Sequence, residues 1–88
     1  MDLNRKNTSI IFSIKDEMGA LHRMLTPFYL NKINLTKIES RPSKKRAWDY
    51  YFFVDFEGHF MDKNVKKALT QLESMCKYLK VLGSYPIL

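Results

Sequence analysis

Ile38-Glu39-Ser40-Arg41-Pro42-Ser43 closes an alternating stretch and runs into the basic turn Lys44-Lys45-Arg46. Proline has no N–H to give a sheet ladder, so Pro42 ends a strand and leaves the polar groups of Glu39, Ser40 and Arg41 at its exit. The apolar residues upstream, Ile33, Leu35 and Ile38, change phase between Leu35 and Ile38. A bulge near Thr36 or Lys37 would cause that change and would aim Glu39 and Ser40.

Outward from this strand the period of the chain alternates between two and about 3.6. In Thr8 to Ile14, Ile10, Phe12 and Ile14 share one face, which marks a first half-buried strand. Lys15 to Gly19 is a charged turn, and from Ala20 the residues Leu21, Met24, Leu25 and Phe28 recur at helical spacing. That spacing predicts a helix to about Leu30, disturbed in its middle by Pro27.

Ala47 to Glu57 alternates Trp48, Tyr50, Phe52, Val54 and Phe56 against Asp49, Tyr51, Phe53 and Asp55, an aromatic-rich interior strand. Glu57-Gly58-His59 turns the chain. Asp62 is placed to cap a second helix with the stripe Val65, Ala68, Leu69, Leu72, Met75 and Cys76. Tyr78 to Gly83 reads as a last short strand, stopped by Pro86. The order βαββαβ predicts an α+β, ferredoxin-like sandwich: a four-stranded antiparallel sheet with both helices on one face.

Eighty-eight residues suffice for one domain, and 45% hydrophobic residues argue for a packed core. So small a core gains from burial against a second copy, which points to a homodimer or higher assembly. The net charge of +6 permits a polyanion partner, but the basic residues are scattered and their densest group is three long. One cysteine, Cys76, cannot form an internal disulfide and suits a reducing compartment. No apolar run reaches the roughly 20 residues of a membrane span, so a cytoplasmic location without membrane contact is expected. Residues 1–7 are polar and without period, a frayed lead-in or cloning remnant, and 8–88 form the domain.

Gly19 stands where a turn feeds a helix, and the free amides of a helix start attract an anion such as a carboxylate. Taken alone, it reads more readily as a plain helix-opening glycine, since glycine punctuates most turns. Together with the polar strand exit at Glu39-Ser40-Arg41 it makes two half-sites able to clamp an amino acid. His22 and His59 lack any neighbouring pattern of a triad or metal site, and no nucleophile or acid/base constellation is present. No catalytic residue, metal or cofactor is assigned.

Gly19-Ala20-Leu21, the strand Ile33 to Ser43 with its Glu-Ser-Arg-Pro motif, and the continuation Lys45-Arg46-Ala47-Trp48-Asp49-Tyr50 through Phe52-Phe53 to Glu57-Gly58-His59 resemble an ACT domain. The pattern is most similar to the regulatory ACT domain at the C-terminus of prephenate dehydratase, including the bifunctional chorismate mutase/prephenate dehydratase. The resemblance covers Thr8 to Pro86; Met18 departs from it, standing where a proline usually precedes Gly-Ala-Leu. It implies feedback inhibition of a dehydratase by L-phenylalanine, bound where the Gly-Ala-Leu turn of one subunit faces the Glu-Ser-Arg-Pro strand of another. It also implies a catalytic domain elsewhere in a parent chain, with this chain itself no enzyme.

Under that resemblance Met18, Gly19, Ala20 and Leu21 form the carboxylate turn, while Leu21 and Leu35 are candidates to wall the phenyl ring, though each could equally be ordinary core. Asn34 and Glu39 are candidate acceptors for the ammonium group, although Glu39 could equally form a surface pair with Arg41. Ser40 and Arg41 shape the strand exit and bridge subunits, and Pro42 ends the strand. Tyr51 and Phe53, facing away from the helices, suggest contact with another sheet or domain. Two rival readings keep the fold: an RNA-recognition module that stacks bases on central-strand aromatics, whose third-strand motif Tyr51, Phe53, Val54 and Phe56 partly fit, and a ligand-free dimerisation adaptor. Asp49, Tyr50 and Phe52 break the RNA-binding strand motif, so no nucleic-acid partner is expected.

Overall fold

A computed structural model describes residues 5–15, 18–44 and 49–87. Its elements run β1 (Lys6–Lys15), α1 (Ala20–Leu30), β2 (Leu35–Pro42), β3 (Asp49–Glu57), α2 (Lys63–Glu73) and β4 (Tyr78–Pro86). The four strands form one antiparallel sheet in the order β2-β3-β1-β4. This is the ferredoxin-like βαββαβ arrangement the periodicities predict. The expected placements of Lys45, Arg46, Ala47 and Trp48 lie outside the described residues.

Alternation decides which face each strand buries. In β1, Ile10, Phe12 and Ile14 join Phe52, Val54 and Phe56 of β3 beneath the helices. Ala20, Met24 and Phe28 of α1 and Val65, Ala68 and Leu72 of α2 close the core from above. Phe12 stacks on Phe52 with ring centroids 5.6 Å apart, and Phe28 tilts against Phe56 at 5.4 Å. Aromatic pairs at such separations add to the burial of their area. β1 starts at Lys6 and β4 continues to Pro86, because their outer ends pair Lys6 with Pro86 and Asn7 with Tyr85; Lys6 and Asn7, expected in a frayed lead-in over 1–7, are therefore strand residues held by that ladder.

Thr8 is a polar residue on the buried face and is fully enclosed. Its Oγ1 donates to the Gly58 carbonyl at 2.6 Å and lies 2.7 Å from Ser84 Oγ, so the hydroxyl is satisfied where it is buried.

Pro27 lies within α1 without breaking it. Its carbonyl accepts both the Asn31 backbone N–H, at 3.1 Å, and Asn31 Nδ2, at 2.7 Å, which closes the last turn. Asn31 Nδ2 also donates to Gln71 Oε1 at 3.0 Å, and Asn64 Nδ2 to the Asn31 carbonyl at 3.3 Å, tying the two helices together. Asp62 occupies the N-cap position of α2, but its carboxylate turns back to accept the His59 N–H at 3.0 Å rather than capping helix amides. α2 ends at Glu73, so Met75 and Cys76, expected on its stripe, sit in the following turn.

Two irregularities shape the sheet's edges. Leu35 pairs with Phe56 and Lys37 with Asp55, leaving Thr36 as the extra residue of a bulge in β2. Ser9 pairs with Gly83 and Ile10 with Val81, leaving Leu82 as the extra residue in β4.

Candidate functional site

After the Thr36 bulge, Glu39 pairs with Phe53, Ser40 with Phe52 and Arg41 with Tyr51. Opposed residues point to the same side of a sheet. Ser40 therefore faces the helix layer, while Glu39 and Arg41 face the open side. On that open side Arg41 Nη2 donates to Glu39 Oε1 at 3.1 Å, and the guanidinium lies 5.3 Å from the centroid of the Phe53 ring.

α1 opens on Gly19, whose φ of 75° is left-handed, a conformation glycine takes at low cost. Among the described residues no side chain caps this start, and the first bond of the helix runs from the Arg23 N–H to the Gly19 carbonyl at 3.0 Å. The amides of Ala20, Leu21 and His22 precede that bond and have no helical acceptor. Beside them lies a cavity of about 320 Å³, lined by Ile14, Gly19, Ala20, Leu21, His22, Ser40, Tyr50 and Phe52. One rim supplies helix-start amides, a serine hydroxyl and an imidazole; the floor is aliphatic and aromatic.

The fold thus gathers Gly19, Ala20, Leu21 and Ser40 in one protomer. The other candidates stand elsewhere. Met18 is 99% exposed on the turn. Asn34 precedes β2 at its far end, where its Nδ2 donates to Glu57 Oε1 at 3.4 Å, and Arg5 Nη2 binds the same oxygen at 3.1 Å. Leu35 packs on the core opposite Phe56. From Leu35 to Ser40 is roughly 16 Å at strand rise, too far for Asn34 or Leu35 to reach their own protomer's Gly19 turn. Arg41 and Pro42 line a separate hollow of about 340 Å³ on the open face, with Ile11, Ser43, Tyr51 and Phe53.

Ile14, His22, Tyr50 and Phe52 line the cavity although the sequence reading did not assign them to the site. Their signal was partial: alternation places Ile14, Tyr50 and Phe52 toward the helices, but only the pairing of Ile14 with Tyr50 sets them beside the Gly19 turn. A somewhat larger hollow, about 380 Å³, separates the helices near Thr26, Pro27, Leu30 and Met75, and none of the candidate residues reaches it. No described helix is long and apolar enough to cross a membrane.

Comparison with known proteins places this geometry in a family. The ACT-domain family model matches residues 8–74. The bifunctional chorismate mutase/prephenate dehydratase of Aquifex aeolicus is 63% identical over 79 residues, which cover 90% of this chain and 22% of that protein. The chain thus spans about a fifth of the length of that relative. Among solved structures, prephenate dehydratase from Arthrobacter aurescens in complex with L-Phe superposes with a TM-score of 0.83 at 31% identity, covering 94% of this chain and 29% of that one. GqqA, described as a novel type of quorum-quenching acylase, superposes with a TM-score of 0.90 at 26% identity, covering 94% of this chain and 43% of that one. With its βαββαβ sheet, its glycine-opened first helix and a family match over most of its length, this chain belongs to the ACT-domain family.

Proposed function

We propose that the βαββαβ unit from Lys6 onward is an amino-acid-sensing regulatory domain that binds L-phenylalanine where two copies meet, and that in a longer parent protein it feedback-inhibits prephenate dehydratase. The observation that carries this reading is the cavity in which the Gly19–Leu21 helix start and Ser40 stand over Ile14, Tyr50 and Phe52. A zwitterion with an apolar ring matches that division: amides for the carboxylate, an aromatic floor for the ring. The similarity to a dehydratase solved with L-Phe supports the ligand class. The acylase likeness warns that the fold by itself does not select an activity.

The strand order supports placing the ligand between copies. β2 is an edge strand, and a two-fold axis pairing two β2 edges antiparallel would bring Asn34 and Leu35 of one copy beside the Ser40 end of the other. The remote candidates then join the cavity from a second protomer and supply an ammonium acceptor and a further apolar wall. Inhibition requires that the ligand favour one arrangement of the assembled parent over another. Such a parent would work in the cytoplasm, with its catalytic domain as this domain's partner.

Titration calorimetry tests the reading. L-phenylalanine should bind in the micromolar to sub-millimolar range, with little heat from L-alanine and none from single-stranded RNA. Heat from RNA alone, or from none of the three, would overturn it.

A further inference from the structure

Resting on the L-phenylalanine reading, we propose that Tyr50 is the specificity-determining wall of the cavity, presenting its ring to the ligand's side chain and setting its preference for aromatic over aliphatic amino acids.

The three residues of the cavity floor differ in what they can offer. Ile14 is buried in the core and contributes a fixed aliphatic edge. Phe52 is also buried, and its stack on Phe12 at 5.6 Å commits one face to the core. Tyr50 is only half-buried; it leans on Phe52 at 6.5 Å with the ring planes 38° apart, and so keeps ring surface toward the opening. Tyr50 is the floor residue with substantial free area, and it pairs across the ladder with Ile14, at the end of the sheet where α1 begins.

That position fixes one dimension of the ligand. A carboxylate held at the Gly19–Leu21 amides directs the side chain across the cavity toward the β1–β3 floor. Aromatic rings prefer offset or edge-to-face contact with another ring, which a branched aliphatic chain cannot make. Removing the Tyr50 ring therefore penalises an aromatic ligand more than an aliphatic one of similar polarity.

The experiment compares the 88-residue chain with Tyr50→Phe, Tyr50→Leu and Tyr50→Ala by calorimetry against L-phenylalanine and L-leucine. Tyr50→Phe should keep L-phenylalanine affinity within about threefold. Tyr50→Leu and Tyr50→Ala should lower it about tenfold while changing L-leucine affinity much less, so that the ratio of the two collapses. Circular dichroism melts check that each variant is folded; Tyr50→Leu, which keeps most of the volume, serves if Tyr50→Ala does not fold. A phenylalanine-to-leucine ratio unchanged in a folded Tyr50→Leu variant overturns the role of Tyr50 and leaves the phenylalanine reading standing. An unsubstituted 88-residue chain that binds no L-phenylalanine overturns both.

Discussion

A β-carbon on Gly58 would come within 2.9 Å of Val65 Cγ2. The turn from β3 to α2 thus lies directly on the first buried residue of α2, and Gly58 has a φ of 119° besides. Gly58→Ala must both strain the backbone and push Val65 into a filled core. The expected loss is about 2–4 kcal/mol, read as a lower urea midpoint with an unchanged slope.

The enclosed Thr8 hydroxyl gives a second test of the same corner. Thr8→Val keeps the shape but leaves the Gly58 carbonyl and Ser84 Oγ without that partner. A loss of about 1–3 kcal/mol is expected, and a Ser84→Ala companion should be less than additive with it in a double-mutant cycle.

Gly19 behaves differently, because a β-carbon there meets nothing within 4 Å among the described residues. Gly19→Ala should cost roughly 1–2 kcal/mol, the price of a left-handed alanine, yet leave the domain folded. If its neighbouring amides hold a carboxylate, L-phenylalanine affinity should fall at least tenfold in calorimetry. A folded variant with unchanged affinity would remove Gly19 from the site.

Ile38 is 45% exposed at the β2 edge. Ile38→Glu should change monomer stability by less than about 1 kcal/mol, while the two-copy reading requires it to block edge pairing. Sedimentation should then show that L-phenylalanine raises the dimer fraction of the unsubstituted chain but not of the Ile38→Glu variant.

Burial pushes the Cys76 thiol above its ordinary value, outweighing backbone hydrogen bonds that pull it down. The folded state therefore keeps its proton to higher pH than the unfolded chain does. Iodoacetamide labelling of folded protein should rise at a higher pH than labelling in urea. By linkage, the group's contribution to stability is full below the unfolded thiol's pKa and is lost as pH rises through the folded value.

The fold was legible because β1, β3 and α1 repeat their apolar residues cleanly and because Pro42 marks a strand end. Even the Thr36 bulge showed in the phase slip between Leu35 and Ile38. Where the reading ran long, local signals had been overridden: Met75 and Cys76 continue the helical spacing of α2, yet the chain turns after Glu73. Half of the candidate site was visible in Gly19, Ala20, Leu21 and Ser40. In the sequence Tyr50 and Phe52 read only as one face of an interior strand, since it takes the pairing of β1 with β3 to bring them beside a helix start some thirty residues earlier.

Both outermost ladders are interrupted, at Thr36 on one side and Leu82 on the other. A neighbouring strand cannot zip along either border in an unbroken register, and Pro42 withholds a donor at the end of the β2 border. Lateral growth into fibres is thereby discouraged. What stays unbroken is short: Lys37 to Arg41 on one border and Tyr78 to Val81 on the other.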